Sequence, residues 1–278
     1  MLFELHAHSW YSKDKFGDEG YASPVELVRV AKERGLNGIA ITDHNCFKSW
    51  DSVKNLRLDD FLIIPGEEVS TRQGHMIALG INEFVRPGRH FLETIDEIHG
   101  KGGIVIAPHP FDLHGKGLEE RSQHCDAIEA FNAMSLDRFS NIRAKKFCAL
   151  HEKAAVAGSD AHTSSMLGRG VTQINSELYI DSVLDSVRAG RTKITGNYHP
   201  VREMTSWYVD RLNSNPNLAQ EHIEKNHHPL KQTALKLLIE HQKKDGLASR
   251  GIVTLLPYLT TAGSSAKSAA ANGLGCLI

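Results

Sequence analysis

Cysteine is scarce and unpaired in this chain. Cys46, Cys125, Cys148 and Cys276 stand far apart, with no CxxC spacing. A disulfide frame or a thiolate zinc site is therefore not expected, and the thiols read as reduced, as in a cytosolic protein. Charge of one sign is also missing. Lys and Arg number 32 against 33 Asp and Glu, a net charge of −1, so no global field draws the chain to nucleic acid or to a membrane surface. No apolar run is long enough to span a bilayer, and no basic stretch leads into an apolar core at the start, so neither an anchor nor a secretory leader is expected. A P-loop, a GxGxxG fingerprint and a Ser-His-Asp order are absent as well. What remains is an ordinary globular composition, 41% hydrophobic over 278 residues, enough for one large domain or a barrel with an appendage.

Histidine is what the chain has in excess: sixteen residues. The first two sit in Phe3-Glu4-Leu5-His6-Ala7-His8-Ser9. On a strand, alternate side chains leave one face, so His6 and His8 point the same way and form half of a metal site. Downstream, short apolar runs alternate with helical stretches. Ser23-Pro24-Val25-Glu26 reads as a capping box opening a helix that stops near Gly35. Strands are expected at 38–42, 61–64, 76–79, 104–107, 127–131, 154–157, 171–174 and 193–195, and helices at 91–99, 137–150 and 180–189. Strand and helix in alternation argue for parallel βα units. Ligand-type residues follow the strands: His6/His8, Asp43/His44, Glu67/Glu68, His109 and Asp160/His162. In a (β/α) barrel the C-terminal strand ends converge on one mouth, whereas an open sheet would spread them out, so a barrel is favoured.

Beyond Gly196 the pattern changes, which divides the chain into a barrel over 1–196 and a mainly helical C-terminal extension over 197–278. A helix is expected near 202–212. Another is expected over 229–244, with Leu230, Ala234, Leu237, Leu238 and His241 on a stripe packed against the barrel. Residues 260–278, rich in Ala, Ser and Gly, read as poorly ordered.

The candidate donors number nine: His6, His8, Asp14, His44, Glu68, His75, His109, Asp160 and His162. They are too many for one ion. A mixed nitrogen and oxygen set suits Zn, Mn or Fe, and neighbouring ions suit phosphoester hydrolysis. Physical reasoning alone leaves Glu67 and Glu68 tied.

His6-Ala7-His8-Ser9, Thr42-Asp43-His44-Asn45, Pro65-Gly66-Glu67-Glu68-Val69-Ser70, Ala107-Pro108-His109-Pro110 and Gly158-Ser159-Asp160-Ala161-His162 resemble the successive motifs of the PHP (polymerase and histidinol phosphatase) superfamily of metal-dependent phosphoesterases. The resemblance covers about residues 1–196. It implies an α/β fold, a distorted (β/α)7 TIM-like barrel, holding two or three Mn, Fe or Zn ions. It implies His6, His8, Glu68 and Asp160 at the first ion, Glu68, His75 and His109 at the second, and Asp14, His44 and His162 at the third. The family spacing Gly-x-Glu-x-Ser selects Glu68 over Glu67 as the bridge.

His109, Asp160 and His162 are expected to be catalytic as well. Arg169, shortly after the Asp160/His162 motif, is the expected phosphate contact, because arginine matches phosphate oxygens bidentately. Asn132 is a second substrate-contact candidate. Asp43 is expected to orient an imidazole. Arg143, Lys145 and Lys146 read as a solvated helix face. The remaining histidines, His90, His99, His114, His124, His151, His199 and the four after residue 220, read as surface or satisfied core. The expected activity is a soluble, cytoplasmic phosphoesterase acting on a small phosphorylated substrate, a nucleotide or an oligonucleotide end. Histidinol phosphate is the alternative substrate, and a non-catalytic metal-bound module serving a protein partner is the alternative of another class.

Overall fold

The structure is a computed structural model, and it describes residues 1–14, 17–135, 137–226, 229–242 and 270. The expected tail at 260–278, apart from residue 270, and the end of the last helix at 243–244 lie outside the described residues, as do Cys276, His227 and His228.

Among the described residues nine strands form the sheet: β1 (Leu2–Glu4), β2 (Gly38–Ile41), β3 (Leu62–Ser70), β4 (His75–Leu79), β5 (Ile104–Ala107), β6 (Ala127–Asn132), β7 (Ala154–Gly158), β8 (Gly170–Ile174) and β9 (Thr192–Gly196). Their spatial order is β9-β8-β1-β2-β3-β4-β5-β6-β7. β1, β2 and β3 are mutually parallel, as are β5, β6 and β7. β4 and β8 run against both of their neighbours. The uniform βα alternation read from the sequence is corrected here. Only Thr71–Gly74 separates β3 from β4, too few residues for a crossover, and the chain reverses with Thr71 N–H donating to Gly74 O at 2.9 Å.

The sheet curls into a nearly closed barrel. β7 meets β8 through side chains: Thr172 Oγ1 accepts from Ala157 N–H at 2.8 Å and donates to Ala157 O at 2.9 Å. Gly170 lies against the backbone of Gly158, where a Cβ would come within 2.1 Å of the carbonyl oxygen, so only glycine lets the two strands close.

Helices cover the outside. Ser23 caps the helix Pro24–Glu33 by accepting from Glu26 N–H, as its capping motif dictates, and Leu27, Val28 and Ala31 pack on Ile39 and Ile41. Leu27 is fully buried, so its truncation to alanine would cost about 2–5 kcal/mol. The helices Phe91–Gly100 and Arg138–Leu150 bury Ile95, Ile98, Ala144 and Phe147 against Val105, Ile128 and Ala130.

Among the described residues the extension forms three helices, Val201–Ser214, Pro216–Asn226 and Pro229–Gln242. The last was expected to bury Leu230 and Leu237 against the barrel. It instead buries Leu235 and leaves Leu230 78% exposed, because it packs on the two helices before it. The side chains of Leu238 and His241 lie outside the described residues. No described helix is long and apolar enough to cross a membrane.

Candidate metal centre

β1 carries Glu4 and points the chain so that His6 and His8 enter the barrel mouth just beyond it, both fully buried. Their backbone is held from both sides: His8 N–H donates to Ala161 O at 2.7 Å, and Thr42 N–H to Ala7 O at 2.8 Å. The strand ends of β2, β3, β5 and β7 then bring in His44, Glu68, His109 and Asp160, and β4 brings in His75 at its start. Because β4 runs backwards, its N-terminal residue lies at the same mouth as the C-terminal ends of its neighbours.

Strand alternation resolves the tie between the adjacent glutamates. Glu68 faces the mouth, while Glu67 turns to the other face, where its Oε2 accepts from Val85 N–H at 2.9 Å. Five imidazoles surround the Glu68 carboxylate. Oε2 lies 3.1 Å from His6 Nε2, 3.3 Å from His8 Nε2 and 3.4 Å from His44 Nδ1. Oε1 lies 2.8 Å from His75 Nδ1 and 3.2 Å from His109 Nε2. Asp160 Oδ1 lies 3.2 Å from His8 Nε2 and 3.6 Å from His6 Nε2. Four overlapping triplets have donor atoms close enough to share an ion: His6/His8/Glu68, His6/His109/Asp160, His8/Asp160/His162 and His44/Glu68/His75. The backbone is strained where two donors enter: His109 has φ 28° and Asp160 φ 51°.

The imidazole tautomers follow from the outer partners. His6 Nδ1 lies 2.9 Å from Glu129 Oε1, and a carboxylate only accepts, so Nδ1 carries the proton. His162 Nδ1 likewise donates to Asp160 O at 2.8 Å. Neutral His6 then turns a bare Nε2 towards both Glu68 Oε2 and His8 Nε2, the latter at 3.2 Å. Acceptors that face each other in a buried site need a cation or extra protons between them. Without an ion the protons stay. Burial alone would push His8 and His109 down, but Glu68 and, for His8, Asp160 hold them at about 10 and about 9. Burial would raise Glu68 and Asp160, and the surrounding imidazoles reverse this and hold both well below the usual carboxylate range. Burial lowers His44 to about 4, although Glu68 and Glu19 oppose it. The donor set thus fits divalent ions.

Three sequence expectations are corrected. Asp14 was expected at the third ion, but its Oδ2 is bonded to Arg211. Glu19 stands in its place, with Oε2 3.3 Å from His44 Nε2 and Oε1 3.4 Å from His162 Nε2. The two carboxylates both follow His8 closely, and spacing alone could not tell which one the antiparallel pair Lys13–Asp14 and Gly17–Asp18 would leave facing inwards. Asp43 was expected to orient an imidazole. It accepts from Ser9 N–H at 2.6 Å and Ser9 Oγ at 2.8 Å, and so fixes the loop after His8 instead.

Asn132 was expected to touch substrate, yet it is buried behind the donors, where Nδ2 donates to Glu129 Oε2 at 2.8 Å and Asp160 Oδ2 at 3.1 Å. Glu129 belongs to the stretch 129–132, which the sequence left open between a plain loop and a substrate contact, and it stands instead behind the donors, against His6 and His109. Its signal was its position, three residues before the end of a strand whose neighbours deliver donors. Arg169 is more than a third exposed, with Nη2 3.8 Å from Glu203 Oε2. Of the helix cations, Arg143 pairs with Glu120 at 2.6 Å and lies over the Phe111 ring. His90 caps a helix and His99 pairs with Asp126 at 2.8 Å, the structural roles expected of lone histidines.

Residues 4–144 match the PHP domain family, and residues 138–192 match the PHP-associated family. An uncharacterised protein of Methanocaldococcus jannaschii is 35% identical over 150 residues, covering 51% of this chain and 87% of that protein. PsfC from Pseudomonas syringae superposes with a TM-score of 0.57 at 19% identity, over 77% of this chain and 98% of that one. A two-domain protein from Bacteroides vulgatus, containing a predicted PHP-like metal-dependent phosphoesterase, superposes with a TM-score of 0.55 at 15% identity, over 76% of this chain and 69% of that one.

Proposed function

Because the chain belongs to the PHP family, we propose that it is a metal-dependent phosphoesterase that hydrolyses a phosphate mono- or diester. The observation that carries this reading is the ring of five imidazole nitrogens within 3.4 Å of the Glu68 carboxylate, two of them from histidines also facing Asp160. We assign His6, His8, Glu68, His75, His109, Asp160, His44, His162 and, in place of Asp14, Glu19 as the residues that would hold two or three ions of Mn, Fe or Zn. When bound, such ions acidify water and neutralise charge on a phosphoryl group.

The chain's own residues prepare the centre. Glu129 fixes His6 with Nε2 facing inwards, and Asn132 holds one oxygen of Asp160 so that the other faces His8. His109, Asp160 and His162 are proposed to face the reacting phosphate, the first two on strained backbone. The substrate is proposed to be a nucleotide or another small phosphorylated molecule, because no inserted domain covers the mouth among the described residues.

Purified protein loaded with Mn should hydrolyse at least one of p-nitrophenyl phosphate, its bis-ester, mononucleotides, histidinol phosphate or short RNA. His109→Ala and Asp160→Ala should abolish that hydrolysis while thermal unfolding stays cooperative. Unaltered turnover in both variants, or no turnover of any ester by the loaded protein, would overturn the proposal.

A further inference from the structure

The helix Val201–Ser214 lies beyond both family matches, which end at residues 144 and 192. Two of its side chains nevertheless touch the donor set. The Trp207 ring packs 4.5 Å from that of His162, and its Nε1–H donates to Glu19 O at 2.8 Å. Four residues on, and so on the same helix face, Arg211 bonds Asp14 and brings Nη2 within 3.6 Å of Glu19 Oε1. Arg211 is buried, and its guanidinium carbon lies 5.3 Å from the centre of the Trp207 ring. A buried guanidinium costs a great deal unless carboxylates meet it, and here two do.

Glu19 needs such support. It stands in a stretch without regular secondary structure, between the short strand Gly17–Asp18 and the helix that begins at Pro24. Its Oε2 is buried with no hydrogen-bond partner among the described residues, and it lies 3.3 Å from His44 Nε2. Trp207 fixes the Glu19 backbone and walls off His162. Arg211 draws Oε1 to one side and leaves Oε2 as an open donor. Asp14 takes the direct bond from the guanidinium, so the charge of Glu19 is not spent on it.

Resting on the reading of these donors as a metal centre, we propose that Trp207 and Arg211 are positioning residues that hold Glu19 and His162 ready for the outermost ion. The helix Val201–Ser214 is then a working part of the centre and not only an appendage to the barrel.

The test titrates Mn into the metal-free, full-length protein by calorimetry and counts ions by elemental analysis. Glu19→Ala serves as the reference. Arg211→Met is expected to weaken the same, most weakly held ion by about tenfold or more and to leave the tighter ions around Glu68 unchanged. Arg211→Lys should recover part of that loss. Trp207→Phe keeps a ring beside His162 but loses the bond to Glu19 O, and should fall between wild type and Arg211→Met. If Arg211→Met does not fold, the two milder variants decide by the same criterion. Weakest-ion affinity within twofold of wild type, or an equal loss of every ion, overturns the proposal. A wild-type protein that binds its ions but hydrolyses no ester would instead sink the phosphoesterase reading and leave this one standing.

Discussion

Glu129 Oε1 lies 2.9 Å from His6 Nδ1, both side chains buried inside the barrel. The same carboxylate takes the His109 backbone N–H on Oε2 at 2.8 Å, so one residue sets two donors from different strands. Glu129→Gln keeps the size but puts an amide N–H where only acceptors fit, against His6, His109 or Asn132. Metal affinity should fall about 10- to 100-fold with only a small drop in melting temperature. Calorimetric titration checks this, and unchanged affinity would show that His6 needs no such partner.

Gly158 makes that contact possible. A Cβ there would lie 2.2 Å from Glu129 Oε1 and 2.5 Å from His6 Cβ. Gly158→Ala should therefore push the pair apart, costing about 1–3 kcal/mol by overpacking and lowering ion binding as much as Glu129→Gln does. Thermal unfolding and metal titration of the two variants side by side would check it, and an alanine variant that binds ions like wild type would contradict it.

Glu19 and Asp14 should separate cleanly. Glu19→Ala removes a carboxylate facing His44 and His162, and activity should fall by about 100-fold or more. Asp14→Ala removes a carboxylate bonded to Arg211 but leaves Glu19 facing His44 and His162, and activity should stay within about tenfold of wild type. Steady-state kinetics at saturating Mn checks the order. The reverse order would restore Asp14 to the centre.

Glu67 should make stability depend on pH. Burial raises its carboxyl from 4.5 to about 8, against a lowering by the Val85 N–H. The folded state keeps the proton where the unfolded chain has released it, so stability from this group is full below about pH 4.5 and is lost as pH rises towards 8. At about 1.4 kcal/mol per unit the loss is a few kcal/mol. Glu67→Gln still accepts from Val85 and should match wild type near pH 5 but melt higher at pH 8.5. A residual slope remains from Glu4, lifted to about 7 by burial. Parallel melting curves across pH for the two proteins would refute it.

Much of the centre was legible because its donors follow apolar runs, and a strand end places a side chain whatever the rest of the fold does. His6, His8, His44, Glu68, His109, Asp160 and His162 converge as their positions imply, whereas His75, at the start of its strand, joins them because β4 runs backwards. What could not be read were choices made by geometry without periodicity. Asp14 and Glu19 lie in an irregular turn, where neither period two nor period 3.6 assigns a direction. β4 looks like any other apolar run, and its reversal depends on a connection too short for a crossover. Asn132 and Glu129 carry the residue types of substrate contacts, and only tertiary packing shows that they stand behind the donors. The last helix was misread because its stripe was matched to the barrel when the two preceding helices were its partners.

The order of strands has a consequence for how the protein is made. β1 holds the first two histidines and lies between β2 and β8, so one of its edges has no neighbour until residues 170–174 exist. His6 and His8 are synthesised before Asp160, so a nascent chain cannot bring Asp160 to them before most of the barrel has left the ribosome. The donor set is therefore complete only in a chain that extends past His162, and a chain arrested earlier would hold it only in part.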